Sequence, residues 1–87
     1  MKTAPQPEGV LFGERLRQLR EEREETQRSL AELTGMTHPY ISEMERGLKV
    51  PSLTTIVRLA IALECEVTDL VDGFNRRDLR KLLAKRR

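Results

Sequence analysis

Apolar side chains recur every three or four residues along most of this 87-residue chain. Phe12, Leu16 and Leu19 show this spacing first, with charged residues between them, and predict an amphipathic helix from about Val10 to Glu24. No segment alternates apolar and polar residues as a half-buried strand does, so the pattern predicts an all-α chain. Residues 1–9 carry two prolines and little apolar mass, and we expect a disordered N-terminal arm there.

Two short helices joined by a tight turn follow. Thr26 and Thr37 are suitable N-cap residues and Gly35 is a suitable C-cap residue. They predict one helix between Thr26 and Gly35 and a second helix from Thr37 to about Glu45. Pro39 falls in the first turn of the second helix, where its missing N–H removes no intrahelical hydrogen bond. This is a helix-turn-helix pattern, and the second helix of such a motif usually enters the major groove of DNA.

A wide apolar stripe marks the next helix, for which Ser52 is the expected cap. Its apolar positions are more than one neighbouring helix would cover, so we expect this helix to be central; they are Leu53, Ile56, Val57, Leu59, Ala60 and Leu63. A short fifth helix is predicted after Thr68, ending near Gly73. The expected organisation is an arm at 1–9, a helix-turn-helix domain at 10–74 and a tail at 75–87, where Leu79, Leu82 and Leu83 are compatible with a sixth helix.

The net charge of +2 hides a division between body and tail. Residues 1–74 carry nine Lys and Arg against thirteen Asp and Glu, whereas residues 75–87 carry seven Lys and Arg and a single acid, Asp78. Attraction to phosphate must therefore come from a few local cations or from the tail. Three alternatives stay open for this tail: a solvated terminus, a source of phosphate contacts, or a segment that docks a protein partner or extends the dimer.

Several function classes find little support in the sequence. One histidine and one cysteine, His38 and Cys65, are too few for a zinc site, and a lone cysteine leaves no internal disulfide. His38 and Ser42 share a helix face, but nothing marks an oxyanion site or an orienting acid, so no catalysis is expected. No apolar run approaches the roughly 18 residues of a membrane span, and the N-terminus lacks a signal-peptide core. We therefore expect a cytoplasmic protein without a cofactor, a metal ion or a membrane partner.

The order of these features resembles the Cro/CI-type (XRE) helix-turn-helix family of prokaryotic and phage repressors. The match covers about residues 11–72 and rests on Arg20, Thr26-Gln27, Leu30-Ala31, Gly35-Met36-Thr37, Tyr40-Ile41-Ser42, Glu45-Arg46-Gly47, Pro51-Ser52-Leu53 and Leu59-Ala60 through Leu63. The resemblance implies a five-helix, lambda-repressor-like DNA-binding domain. The chain departs from the family at Glu24 and Glu25, where members usually have a glycine followed by an apolar residue.

The resemblance also implies roles for particular side chains. Base contacts would come from the outward positions of the third helix, which are His38, Pro39, Ser42 and Glu43. Contacts to backbone phosphates would come from the start of the second helix, the edge of the groove and the loop after the third helix, namely Gln27, Arg28, Tyr40, Arg46 and Lys49. Arg20 and Glu45 would form a buried ion pair between the first and third helices.

Apolar residues around the fifth helix exceed what one small domain needs to cover. We expect them to form a symmetric homodimer interface; they are Leu63, Val67, Leu70, Val71 and Phe74. Two-fold symmetry would place the recognition helices about 34 Å apart on a palindromic operator. The expected function is therefore sequence-specific binding of double-stranded DNA by a transcriptional regulator, preferably a repressor. Two alternatives are an antitoxin that binds a partner protein and an interaction module that does not use DNA.

Overall fold

The computed structural model describes residues 4–85, except for the side chains of Leu83 and Lys85, and has no strand within them. Six helices follow in chain order: α1 (Pro7–Glu22), α2 (Gln27–Thr34), α3 (His38–Glu45), α4 (Leu53–Leu63), α5 (Val67–Leu70) and α6 (Arg76–Lys85). The all-α prediction is confirmed, and the basic sixth helix is present. None of the described helices is long and apolar enough to cross a membrane.

Helix α1 begins and ends earlier than the apolar spacing predicted. It starts at Pro7 rather than Val10, because proline is pre-set for the first position of a helix and Glu8 complements the positive end of the helix dipole. The ordered body therefore begins within the expected arm, whose first three residues, Lys2 included, lie outside the described part of the chain. The helix ends at Glu22, ahead of the left-handed backbone of Glu24 at φ 56°.

Side-chain caps set the starts of the middle helices. The Thr26 hydroxyl accepts the Ser29 N–H at 2.9 Å, and the Ser29 hydroxyl accepts the Thr26 N–H at 2.8 Å, which closes a reciprocal box. Thr37 accepts from the Tyr40 N–H at 3.2 Å, and Ser52 caps α4 in the same way. These three caps are where the sequence predicted them.

The short helix α5 begins and ends differently from the prediction. It starts at Val67, so Thr68 lies inside the helix and is not its cap. The carboxylate of Asp69 accepts the N–H of Glu66 at 2.9 Å and so satisfies a free donor at the helix start. The helix ends at Leu70, and a turn carries the chain on to Gly73.

One hydrophobic core joins the first five helices. Its buried side chains are Phe12, Leu16 and Leu19 of α1, Leu30 and Ala31 of α2, Ile41 and Met44 of α3, Leu59, Ala60 and Leu63 of α4, and Leu70 of α5. Aliphatic side chains fill most of this volume, because the chain has only two phenylalanines and one tyrosine. The core holds the inner side of α3 and leaves the opposite side of this helix facing solvent.

Helix α1 crosses the end of α3 with unusually close backbones. A Cβ atom built on Gly13 would lie 2.3 Å from the carbonyl oxygen of Met44 and 2.6 Å from that of Glu45. Only a glycine leaves room for this approach. On another face of α1, the Arg15 guanidinium donates to the carbonyl oxygen of Asp69 at 2.7 Å and ties α1 to α5.

The turn after α1 makes Glu24 a site for stabilisation. Left-handed backbone costs a non-glycine residue roughly 1–2 kcal/mol, while a glycine gives back about 0.4–1 kcal/mol through the unfolded chain. We expect Glu24→Gly to raise the free energy of unfolding by about 0.5 kcal/mol, measured by urea denaturation. The matched control is Glu14→Gly at an exposed position in the interior of α1, which should lower the free energy of unfolding by about 0.5–1 kcal/mol. Equal losses in both variants would contradict the strain at Glu24.

Candidate nucleic-acid interface

Helix α3 has one buried side and one open side. Ile41 and Met44 are fully buried and anchor the helix in the core. The residues predicted to contact bases lie on the opposite side, which we call the outer face of α3 and which consists of His38, Pro39, Ser42 and Glu43. His38 and Pro39 are exposed, and Ser42 and Glu43 are half-exposed. The structure therefore brings all four together on one surface, as the helical spacing requires.

Positively charged side chains flank the outer face of α3. Arg28 is exposed at the second position of α2, and Arg46 and Lys49 are exposed in the loop that follows α3. Tyr40 is half-buried and packs against the core. These four residues were predicted to contact phosphate, and the structure leaves the three cations free to reach solvent.

Arg20 and Glu45 form a bidentate ion pair between α1 and α3. The Nε atom of Arg20 lies 2.6 Å from Oε2 of Glu45, and Nη2 lies 3.1 Å from Oε1. Their side chains are only 11% and 4% exposed. Nη1 of Arg20 also donates to the carbonyl oxygen of Glu25 at 2.7 Å. The resemblance implied this pair, and the geometry adds that it holds the turn before α2 as well.

The hydrogen bond to Glu45 raises the pKa of Arg20, and burial opposes this with a smaller effect. A raised folded-state pKa means that the stabilisation is fully present below the ordinary pKa of arginine and is lost only above it. The Arg20 charge therefore persists throughout the neutral range, and its partner must stay in place to compensate it.

Gln27 has a position that the sequence did not predict. Its Nε2 atom donates to Oε1 of Glu45 at 3.0 Å, and its Oε1 atom lies 3.1 Å from Nε2 of His38. The resemblance implied only a phosphate contact for this residue. Gln27 and His38 are the first residues of α2 and α3, and nothing in the sequence signals that two such positions meet. The side chain is thus a bridge between the ion pair and the outer face of α3.

The structure corrects two of the five residues predicted for the dimer interface. Leu63 and Leu70 are completely buried in the core of the monomer, so they cannot contribute surface to a contact between two copies. Val67, Val71 and Phe74 are half-buried, and Val67 and Phe74 pack against the core. An apolar pattern does not show which side of a short helix meets the domain, so the sequence could not separate these two core residues from the other three.

A different apolar surface is open on α4. Leu53, Val57 and Ile61 are 71%, 41% and 72% exposed. They recur every four residues along one side of the helix, and we call them the α4 stripe. The sequence suggested a central helix covered by its neighbours. In the structure, α4 instead keeps one apolar side in contact with solvent. The excess width of its apolar pattern was the signal for this surface.

The basic tail is carried by α6. Arg76, Arg77, Arg80 and Lys81 are exposed on it, while the side chains of Leu83 and of residues 85–87 lie outside the described part of the chain. Leu82 and Lys81 border a cleft of about 250 Å³ against α1, lined there by Pro7, Val10, Leu11 and Glu14. Helix α6 packs against α1, whereas His38 and Pro39 on the outer face of α3 are exposed. The part of the tail that the structure describes therefore leaves His38 and Pro39 open to solvent.

A family of helix-turn-helix domains matches residues 11–72 of the chain. The chain belongs to this helix-turn-helix family. The Cro/CI-type resemblance is confirmed, and the match contains α2, α3 and every described residue of the outer face of α3.

Named relatives of this helix-turn-helix chain are regulators. The HTH-type transcriptional regulator DdrOP3 of Deinococcus deserti is 42% identical over 60 residues, which are 69% of this chain and 46% of that protein. The chain thus spans less than half of the length of the curated relatives that it matches.

Solved structures of other proteins have the same helix-turn-helix fold. The restriction-modification controller protein C.AhdI of Aeromonas hydrophila superposes with a TM-score of 0.70 at 42% identity, covering 71% of this chain and 94% of that one. The biofilm regulator SinR, solved in complex with DNA, gives a TM-score of 0.67 at 32% identity, covering 70% and 98%. These likenesses confirm the lambda-repressor-like fold.

Proposed function

We propose that this chain is a sequence-specific double-stranded DNA-binding transcriptional regulator that acts as a homodimer on palindromic operators. The observation that carries the proposal is the outer face of α3, which is open to solvent on a helix locked into the core from behind. A protruding helix with a free polar face has the dimensions that the major groove admits. SinR, a relative of the same fold, is solved with DNA.

Phosphate contacts would come from the borders of that face. Arg28 approaches from the start of α2, where the first N–H groups of the helix have no intrahelical acceptor and favour an anion. Arg46 and Lys49 would approach from the loop on the other side. The hydroxyl of Tyr40 and the backbone N–H of Gln27 would complete the set. With so few cations on an acidic body, we expect base contacts to carry an unusually large share of the affinity.

The proposed mode of action is occupancy of a promoter. A dimer bound across the polymerase site excludes polymerase, which makes repression the default outcome. The mechanism requires no metal ion, cofactor or catalysis by the chain. Cys65 is a free thiol, which fits the reducing conditions of the bacterial cytoplasm where such a regulator would act.

Selection from random duplexes tests the function. We expect a recovered palindrome to bind at least about a thousand times more tightly than a scrambled duplex, with affinity falling as salt rises. Arg46→Ala should weaken binding to all duplexes alike and reduce the logarithmic salt slope by about 0.9, whereas Ser42→Ala should change base preference. Arg77→Ala on α6 tests the tail separately, since it lowers the salt slope only if the tail also contacts phosphate. Binding that ignores both sequence and salt would favour a protein-interaction module instead.

The homodimer we propose uses the α4 stripe. Pairing two copies through Leu53, Val57 and Ile61 removes three exposed apolar side chains from water at a two-fold axis. We expect Ile61→Asp to raise the dimer dissociation constant about 30-fold or more, because the most exposed apolar side chain of the proposed interface is replaced by a charge. Sedimentation equilibrium measures this, with Leu79→Asp on α6 as a matched control. A wild-type monomer at tens of micromolar would contradict the dimer.

A further inference from the structure

Four side chains form a continuous hydrogen-bonded chain from α1 to the start of α3. Arg20 donates to Glu45, Gln27 donates to the same carboxylate through Nε2, and Oε1 of Gln27 lies 3.1 Å from Nε2 of His38. Each link has a direction, because arginine can only donate and an ionised carboxylate can only accept. The direction of the last link therefore follows from the first.

The amide of Gln27 has one orientation that satisfies both neighbours. Glu45 accepts from Arg20 and needs a donor from Gln27, so the NH₂ group of Gln27 faces Glu45 and its carbonyl oxygen faces His38. The reversed amide would place two oxygens together at 3.0 Å. Because a carbonyl oxygen only accepts, Nε2 of His38 must carry the hydrogen. In a neutral imidazole the other ring nitrogen, Nδ1, is then an acceptor.

We propose that Arg20, Glu45 and Gln27 hold His38 in its Nε2–H tautomer, so that Nδ1 reads an exocyclic amino group of adenine or cytosine in the major groove. His38 is exposed at the first position of α3, where the outer face begins. The N6 amino group of adenine and the N4 amino group of cytosine are the base-edge donors in that groove. His38 is then a specificity-determining residue, and Gln27 is its positioning residue.

This inference rests on the proposed function, since it assigns a base to an operator contact. It also contains a part that needs no DNA. His38 is the only histidine in the chain, so two-bond ¹H–¹⁵N couplings of the ¹⁵N-labelled protein report its tautomer without ambiguity. We expect a single Nε2–H tautomer in the wild type and a mixture in Gln27→Met, which keeps the length of the side chain but has no carbonyl. A mixture in the wild type would overturn the proposal.

Modified operators test the base readout. Comparing wild type with His38→Ala on a selected operator first identifies the base pair that His38 contacts. Removing the exocyclic amino group of that adenine or cytosine should weaken wild-type binding about tenfold, but should not weaken binding by His38→Ala. Replacing N7 of the purine by carbon should leave wild-type binding unchanged. The reverse pattern, a loss with the N7 replacement and none with the amino deletion, would overturn the proposal.

The Gln27→Met variant links the two measurements. Because Arg20 still pairs with Glu45, the variant should remain folded, which urea denaturation checks. When the exocyclic amino group of the contacted base is removed, we expect the affinity of Gln27→Met to fall only about twofold, compared with about tenfold for the wild type. The reason is that His38 is no longer restricted to one tautomer. An undiminished loss would remove Gln27 as the positioning residue. If the wild type binds no duplex at all, the proposed function fails, and with it this base assignment.

Discussion

Replacing Gly13 by alanine is expected to lower the free energy of unfolding by about 3 kcal/mol, at the upper end of the cost of overpacking. The added Cβ atom would lie 2.3 Å and 2.6 Å from the carbonyl oxygens of Met44 and Glu45. These are backbone atoms at the end of α3, and they cannot rotate away as the end of a side chain could. The gain in helix propensity from glycine to alanine is about 1 kcal/mol and does not offset the clash.

Gly9→Ala is the matched control for this substitution. Its Cβ atom would meet only the carbonyl oxygen of Gly47 below 3.0 Å, at 2.9 Å, in the first turn of α1 and beside a loop. We expect a loss of about 1 kcal/mol there, because both segments can shift. Urea unfolding followed by circular dichroism gives the two values. A Gly13→Ala protein as stable as the wild type would show that α1 and α3 do not approach each other this closely.

Local signals explain why much of the fold could be predicted. Capping is a contact between residues three positions apart, so Thr26, Thr37 and Ser52 identified the starts of α2, α3 and α4 correctly. The apolar spacing of α1 likewise identified its core residues, because a helix has one period whatever it packs against. The start of α1 was missed because Pro7 and Glu8 favour a helix but carry no apolar period.

Packing across the chain could not be predicted in the same way. Helix α4 has apolar residues around most of its circumference, and only the position of its neighbours shows that Leu63 is buried while Ile61 is exposed. Gly13 gave no signal either, since a glycine inside a helix looks like a local weakness until the backbone of α3 is seen beside it. Contacts between residues distant in the sequence determine both the exposed side of α4 and the need for a glycine at position 13.

In the candidate site, too, the features set by local spacing could be predicted, and the contacts between helices could not. The outer face of α3 followed from helical spacing, because His38 and Ser42 must share a side of one helix. The bridge from Glu45 through Gln27 to His38 joins the start of α2 to both ends of α3, and its existence depends on how α2 is placed against α3. Sequence therefore predicted which residues form the surface, while the structure was needed to show what orients them.

Glu45→Ala should be the most damaging change at the site itself. It leaves the Arg20 guanidinium nearly buried with one remaining hydrogen-bond acceptor, the carbonyl oxygen of Glu25, and it removes the acceptor of Gln27. Breaking a buried ion pair on one side typically costs about 3–5 kcal/mol. A small domain has roughly 5–15 kcal/mol of stability in total, so this variant should lose a large share of its folding free energy. Urea denaturation measures the loss.

The double variant Arg20→Met/Glu45→Leu separates burial of an unpaired charge from loss of packing. Apolar replacements of similar volume often restore the stability that a single charge deletion removes. We therefore expect the double variant to be more stable than Glu45→Ala by about 2–4 kcal/mol, even though it has lost the same ion pair. A cost below about 1 kcal/mol for Glu45→Ala would mean that Arg20 and Glu45 behave as a solvent-exposed pair. If both predicted values are found, the ion pair serves mainly to orient α3 against α1. The double variant should then be stable but impaired in operator binding, because Gln27 has lost the carboxylate that holds it.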